Sequence, residues 1–313
     1  MSTYYQIFGG KVNVVSADPS NPIEGQMWYN TTTELLKYRA VLTTGAWASG
    51  GNLATARYGL GGAGTQTVGL GFGGYTTTAV ANTEEYDGSA WTAGGTMGTA
   101  RYVLGGCGTQ TAGLAFGGIA GVNSSATEEY DGTSWTGGGS LATARRLMGS
   151  AGIQTAGLSA GGYTTASSAA TVEYDGTSWT SGGNLGTARH TLAGAGTQTV
   201  GLAFGGEGAA SALTEEYDGT SWTAGGNLNT GRPSLAGAGT QTAALGFGST
   251  GGATEQYNGT SWTADAAMAT AKQNLGGAGT QTSALGFGGF TVTAATEEFT
   301  GGPTAVTRTV TAT

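Results

Sequence analysis

The chain has 313 residues, room for one large or two ordinary domains, and its 63 glycines alongside 7 tryptophans and 13 tyrosines at recurring places point to a repeat rather than to disorder. A formal net charge of -8 with no basic stripe excludes a nucleic-acid surface. The single cysteine, Cys107, excludes a disulfide framework and a cysteine-rich metal site; the start MSTYYQIFGGKVNVV carries no signal-peptide pattern and no 18-residue apolar run follows, so synthesis in the cytoplasm without ordinary secretion or membrane insertion is expected.

Residues 1–46 differ in composition from the rest and hold two of the four prolines and three of the eleven basic residues. Within SADPSNPIEGQMWYNTTTELLKYR, the words QMWYN and LLKYRAV flank the turn TTTE and predict a β-hairpin. The run DPSNPIEGQMWYNTTTELLKY resembles a segment of tailed-phage structural proteins, tail fibres and adhesins in particular. That resemblance implies attachment to other virion tail or capsid proteins through residues 1–46, several copies per particle, and exposure of the remainder on the virion surface.

From Trp47 onward one unit returns six times. Trp47, Trp91, Trp135, Trp179, Trp222 and Trp262 are spaced by 44, 44, 44, 43 and 40 residues. A basic residue recurs at Arg57, Arg101, Arg145, Arg189, Arg232 and Lys272, and GTQT or GIQT follows each time. A glycine step recurs at Gly73-Gly74 and its equivalents, with Ser249 breaking it in the fifth copy. Each unit predicts four short strands, as in RYGLGGAG, TVGLGFGG, TEEY and SWTAGG. Leu70 and Phe72 alternate with Gly69 and Gly71, which leaves one bare face for a neighbouring sheet. Asp-Gly or Asn-Gly between the last two strands predicts a tight hairpin with positive φ at both residues.

Four antiparallel strands, six times over, predict an all-β fold: a six-bladed β-propeller over residues 47–301, preceded by the hairpin module. The glycine pair, tyrosine, tryptophan and basic residue in that order resemble the kelch repeat family over Arg57 to Phe299. The sixth copy has Phe299 in place of tyrosine and no tryptophan after it. The preferred closure lends the Trp47 strand to that blade; the alternative uses residues 302–313 as the closing strand and makes residues 1–50 a seventh blade.

The chemistry-bearing residues read mostly as structure. Adjacent carboxylates such as Glu84/Glu85 and Glu128/Glu129 point to opposite sheet faces and cannot converge on one bond. With one cation per unit they predict a repeated ion pair. YDGTSW resembles the sialidase Asp-box but lacks a residue between Asp and Gly, and the single histidine, His190, excludes a galactose-oxidase-like copper site. His190 is equivalent to Tyr58, Tyr102, Arg146, Pro233 and Gln273 and reads as a surface position. Cys107 replaces alanines such as Ala63 and Ala151 and reads as packing. No cofactor, metal or catalytic set is expected.

Divergence between copies concentrates in the segments after the glycine step, beginning at Tyr75, Ile119, Tyr163, Glu207, Thr250 and Phe290. A four-stranded meander puts these loops on one rim and GTQT and DGTS on the other, where changes at Gln66 and Gln198 should leave recognition intact. Drift produces loop divergence too, but Tyr75, Asn123, Tyr163, Glu207 and Phe290 are suited to stacking on or hydrogen bonding with a partner. The expected function is a non-enzymatic tail-fibre or adhesin-like virion protein that binds a host-surface glycan or protein. A decoration protein without a receptor and a carbohydrate-active propeller enzyme are the alternatives.

Overall fold

The structure, a computed structural model, describes residues 3–7, 10–20, 26–42, 44–302 and 304–309. It is all-β; among the described residues the one helical element is a 3-10 turn at Gly208–Ala210. The chain divides into two compact units, residues 46–300 and residues 1–45 with 301–313.

The larger unit holds six four-stranded antiparallel sheets, arranged like propeller blades. Blade 1 runs through Gly61–Gly64, Gly69–Phe72, Thr83–Tyr86 and Trp91–Ala93. Blades 2 to 5 repeat it, with first strands Gly105–Gly108, Gly149–Ile153, Ala193–Gly196 and Leu235–Thr240. Blade 6 takes Gly276–Gly279, Ser283–Phe287 and Thr296–Thr300, and its fourth strand is Ala46–Ser49, with Trp47 opposite Phe299. Residues 304–309 do not serve there; they pair with Leu35–Leu42 in the other unit.

Innermost strands of glycine and alanine let neighbouring blades approach backbone to backbone. A Cβ on Gly62 would lie 2.5 Å from the Gly277 carbonyl oxygen. The second-strand leucine and phenylalanine, Leu70 and Phe72 in blade 1, are fully buried between blades, each worth roughly 2–3 kcal/mol.

At the inner end of the blades lie six equivalent residues, Gly59, Val103, Leu147, Thr191, Ser234 and Asn274, all with positive φ. Each donates its N–H to the carbonyl of the one before, at 2.6–3.0 Å, and Gly59 donates to Asn274, so the chain of bonds returns to its start. Each of these residues precedes its blade's first strand in the left-handed region, at a cost to valine and leucine of about 1 kcal/mol or more that the bonds between neighbouring blades offset.

The hairpin after the third strand departs from the two-residue turn that Asp-Gly predicts. Tyr130 pairs with Trp135 across four loop residues, and only Gly132 has positive φ. The Asp131 carboxylate closes the loop by accepting from the N–H groups of Thr133 and Ser134, both at 2.8 Å. A side-chain acceptor thus replaces the strained backbone of a two-residue turn.

The smaller unit is a five-stranded sheet in the order Thr3–Ile7, Gly10–Val15, Met27–Asn30, Leu35–Leu42 and Thr304–Thr309. The expected hairpin is present: Met27–Asn30 pairs with Leu35–Leu42 around residues 31–34. Asp18 accepts from Trp28 Nε1, Asn30 Nδ2 and Lys37 Nζ at 3.0, 2.7 and 2.6 Å. The hydrogen bond from Lys37 first, then those from Asn30 and Trp28, hold its carboxyl down at about 2. Residues 8–9 of YYQIFGG and 21–25 of the DPSNP run lie outside the described residues.

Candidate functional site

The repeated charged and aromatic residues are engaged in structure. The first carboxylate of each pair meets its own blade's cation: Glu84 with Arg57 at 3.0 Å, Glu128 with Arg101 at 2.9 Å and Glu297 with Lys272 at 2.9 Å. In blade 4 Glu215 and Arg189 approach to 3.2 Å without hydrogen-bond alignment, so that contact is coulombic. Burial lowers the Arg57 and Arg101 pKa values, and the carboxylates act against that shift.

The second carboxylate crosses to the next blade. Glu85 accepts from Tyr130, Glu129 from Tyr174, Glu173 from Tyr217, Glu216 from Tyr257 and Glu298 from Tyr86, each at 2.5 Å. The exception explains itself: blade 6 has Phe299, with no hydroxyl, and the residue that would accept from it is Gln256, which turns to Asp265 instead. Each of the six repeat tryptophans donates Nε1–H to a threonine of the preceding blade, Trp47 to Thr254 and Trp91 to Thr296 at 2.9 Å.

GTQT also carries more than a turn. Gln110 Nε2 donates to the carbonyls of Gly69 and Tyr86 in the preceding blade at 3.0 and 2.8 Å, and Gln66 and Gln198 do the same in theirs. These glutamines are staples between blades, which the sequence reading of a plain uniform rim missed. Cys107 is buried, and burial pushes its thiol up to about 12, as befits a packing residue.

The opposite rim gathers the divergent residues. In blades 1, 2, 3 and 6 the residue after the conserved cation bridges, backbone to backbone, to the residue after the glycine step: Tyr58 to Tyr75, Tyr102 to Ile119, Arg146 to Tyr163 and Gln273 to Phe290. The glycine step lets the backbone approach closely here: a Cβ on Gly74 would lie 3.2 Å from the Tyr58 carbonyl, and one on Gly73 2.6 Å from the Arg101 carbonyl of the next blade. Two side-chain groups result.

The first spans blades 6, 1 and 2. Tyr58 packs on Tyr75 at 5.4 Å, on Tyr102 at 6.3 Å and edge-on to Phe290 at 5.5 Å, and Tyr75 meets Tyr102 at 4.8 Å. Phe290 is 51% exposed. Burial first, then the neighbouring Tyr102 and Tyr75, raise the Tyr58 phenol above its ordinary value.

The second spans blades 2, 3 and 4. Arg146 lies over the Tyr163 ring at 4.6 Å and donates to Asn123 Oδ1 at 2.6 Å, while Asn123 Nδ2 donates to the Thr164 carbonyl at 2.7 Å. His190 stacks edge-on to Tyr163 at 5.0 Å, and its Nε2 lies 3.2 Å from Glu207. With Nε2–H facing that carboxylate, Nδ1 accepts from the Ser167 hydroxyl at 3.0 Å.

All five residues singled out in the sequence therefore lie on this rim, Tyr75 and Phe290 in the first group and Asn123, Tyr163 and Glu207 in the second. Tyr58, Tyr102, Arg146 and His190, which hold the groups together, were missed as site residues. The signal was their own variability, read as mere exposure, in register with the variable loops.

A cavity of about 130 Å³ is lined by the six left-handed residues and the innermost strands. Ser150, Thr191, Ser234 and Asn274 supply its polar side chains; no acidic, basic or imidazole group lines it. Among the described residues no cluster of histidine, cysteine, aspartate or glutamate could hold a metal ion. Comparison with known protein families and with curated proteins finds no match to this chain.

Proposed function

We propose that the larger unit is a kelch-like propeller acting as a non-enzymatic binding module, and that the protein is a tail-fibre or adhesin-like virion component. The variable rim contacts a host-surface glycan or protein, and the smaller unit attaches the protein to the particle. The observation that supports this reading is the convergence of divergence. The repeats agree at most framework positions, and the residues of their most divergent segments meet one another on one rim. Drift scatters substitutions; it gives no reason for Arg146, Asn123, Tyr163, His190 and Glu207 to become mutual partners. Partly exposed aromatic faces next to hydrogen-bonding groups suit sugar rings and protein side chains alike. Single contacts of this kind are weak, and several copies per particle supply affinity through multivalency.

Replacing Tyr75 and Tyr163 with alanine should reduce adsorption of particles to host cells while the chain still folds, its melting temperature lowered by only a few degrees through the lost ring contacts. The control is Thr92→Ala, an exposed strand residue outside the variable loops. Undiminished adsorption refutes the assignment of the rim. If isolated protein and intact particles both ignore host cells, the receptor role falls and a decoration role replaces it. Immunogold labelling that finds the protein absent from particles overturns both.

A further inference from the structure

Blade 3 breaks the ion-pair pattern, and a second departure coincides with the first. In the other five blades a buried carboxylate meets the repeat's cation and accepts from an equivalent backbone N–H, that of Ala54, Gly98, Gly186, Asn229 or Ala269, at 2.6–2.8 Å. Val172 stands in that place in blade 3. Arg145 is nonetheless retained and only 4% exposed. Its Nη1 reaches the carbonyls of Ala170 and Gly161 at 2.9 and 3.5 Å and its Nε that of Thr143 at 3.5 Å. Its Nη2, the atom that meets the carboxylate in blades 1, 2 and 4, finds no hydrogen-bond partner among the described residues. The Ala142 N–H, equivalent to the five donors above, likewise meets no carboxylate.

Directly across the sheet from Val172 lies Ser159, where the other blades have Gly71, Ala115, Ala203, Gly246 and Gly286. In-register partners project to the same side. The Ser159 hydroxyl is fully buried and has no hydrogen-bond partner. One blade thus holds a guanidinium and a backbone N–H that no carboxylate joins. Valine ends at Cγ, so the Cδ and two oxygens of the glutamate have no counterpart. A cation in so buried a side chain is stabilised by a counter-ion.

We infer that blade 3 binds a halide-sized monovalent anion, chloride in ordinary solution, held by Arg145 Nη2 and the Ala142 N–H, the two donors whose equivalents one carboxylate joins in blades 1, 2 and 4. A halide accepts in every direction and suits both donors. Val172 supplies an apolar wall, and the Arg145 charge supplies the attraction. The ion replaces an ion pair between strands, so its effect is on stability and is separate from recognition at the rim.

The test uses the full chain in sodium bromide against sodium gluconate at constant ionic strength. Bromide should raise the melting temperature saturably, by about 3 °C at ten times its dissociation constant. Val172→Glu, which restores the blade's own carboxylate, should abolish that response. Crystals soaked in bromide should give an anomalous peak beside Arg145 Nη2. A wild-type chain indifferent to halide, a full response in Val172→Glu, or no anomalous peak at Arg145 overturns the assignment. If Val172→Glu does not fold, the anomalous signal decides.

Discussion

Replacing Trp47 with alanine tests whether a strand at the start of the larger unit holds its last blade. The indole packs on Phe247 and Phe299, both at 5.1 Å, and donates to Thr254 at 2.9 Å. Truncating a buried tryptophan costs about 3–5 kcal/mol, and this half-buried one should lose about 2–3. Thr254 is 1% exposed, and its hydroxyl loses a donor, adding about 1 kcal/mol. The sum, about 3–4 kcal/mol, corresponds to a fall in melting temperature of about 8 °C for a unit of this size. Calorimetry and urea unfolding of the full chain would measure it. Trp222 is an internal comparison: it makes the same bond, to Thr171 at 2.9 Å, but lies against Ala160 where the other blades offer a phenylalanine. Its replacement should cost about 1 kcal/mol less, the value of one aromatic pair. A loss below about 1 kcal/mol for Trp47→Ala would refute the reasoning, since the blade would then stand without its fourth strand.

Gln110→Ala should destabilise by about 1–3 kcal/mol in urea unfolding, because it strips two carbonyls of the preceding blade of one shared donor. Arg101→Met should cost about 3–5 kcal/mol by leaving Glu128 buried without its cation, and Arg101→Met with Glu128→Leu should recover much of that loss. Tyr86, Tyr130, Tyr174, Tyr217 and Tyr257 are pushed up to about 12, by burial first and by their glutamate partners next. An unfolded phenol titrates near 10, so this stabilisation is complete below about pH 10 and is lost as pH rises towards about 12. Melting temperature should therefore drop across that window together with ionisation of these five phenols; tyrosinate forming near pH 10 at these five positions in a still-folded chain would contradict it.

The blades were legible because each repeat writes its strands in short-range pattern: alternating Leu70 and Phe72, the glycine step, the tyrosine and the tryptophan. Bonds between blades were not. Gln110 meets Tyr86 across 24 residues and Tyr130 meets Glu85 across 45, and nothing local in GTQT or TEEY specifies a partner so distant. The ring of left-handed residues was hidden for another reason. Gly59, Val103, Leu147, Thr191, Ser234 and Asn274 share a backbone conformation imposed by the neighbouring blade, and their side chains have nothing in common. At the rim the loop residues could be named from divergence alone. Their partners Tyr58, Tyr102, Arg146 and His190 sit just after the conserved cation, a whole hairpin earlier in sequence.

The two strands that bracket the larger unit also fix how it meets mechanical load. Thr304–Thr309 pairs antiparallel with Leu35–Leu42, with Thr309 opposite Lys37 and Thr304 opposite Leu42. While the Leu42–Thr304 rung holds, a pull between Thr3 and Thr309 is carried through this sheet. Only after that rung parts does tension reach Ala46 and Thr300, the outermost rung of blade 6. The smaller sheet thus shunts the load past the blades, and all six, with the rim they carry, stay unstretched for as long as it holds.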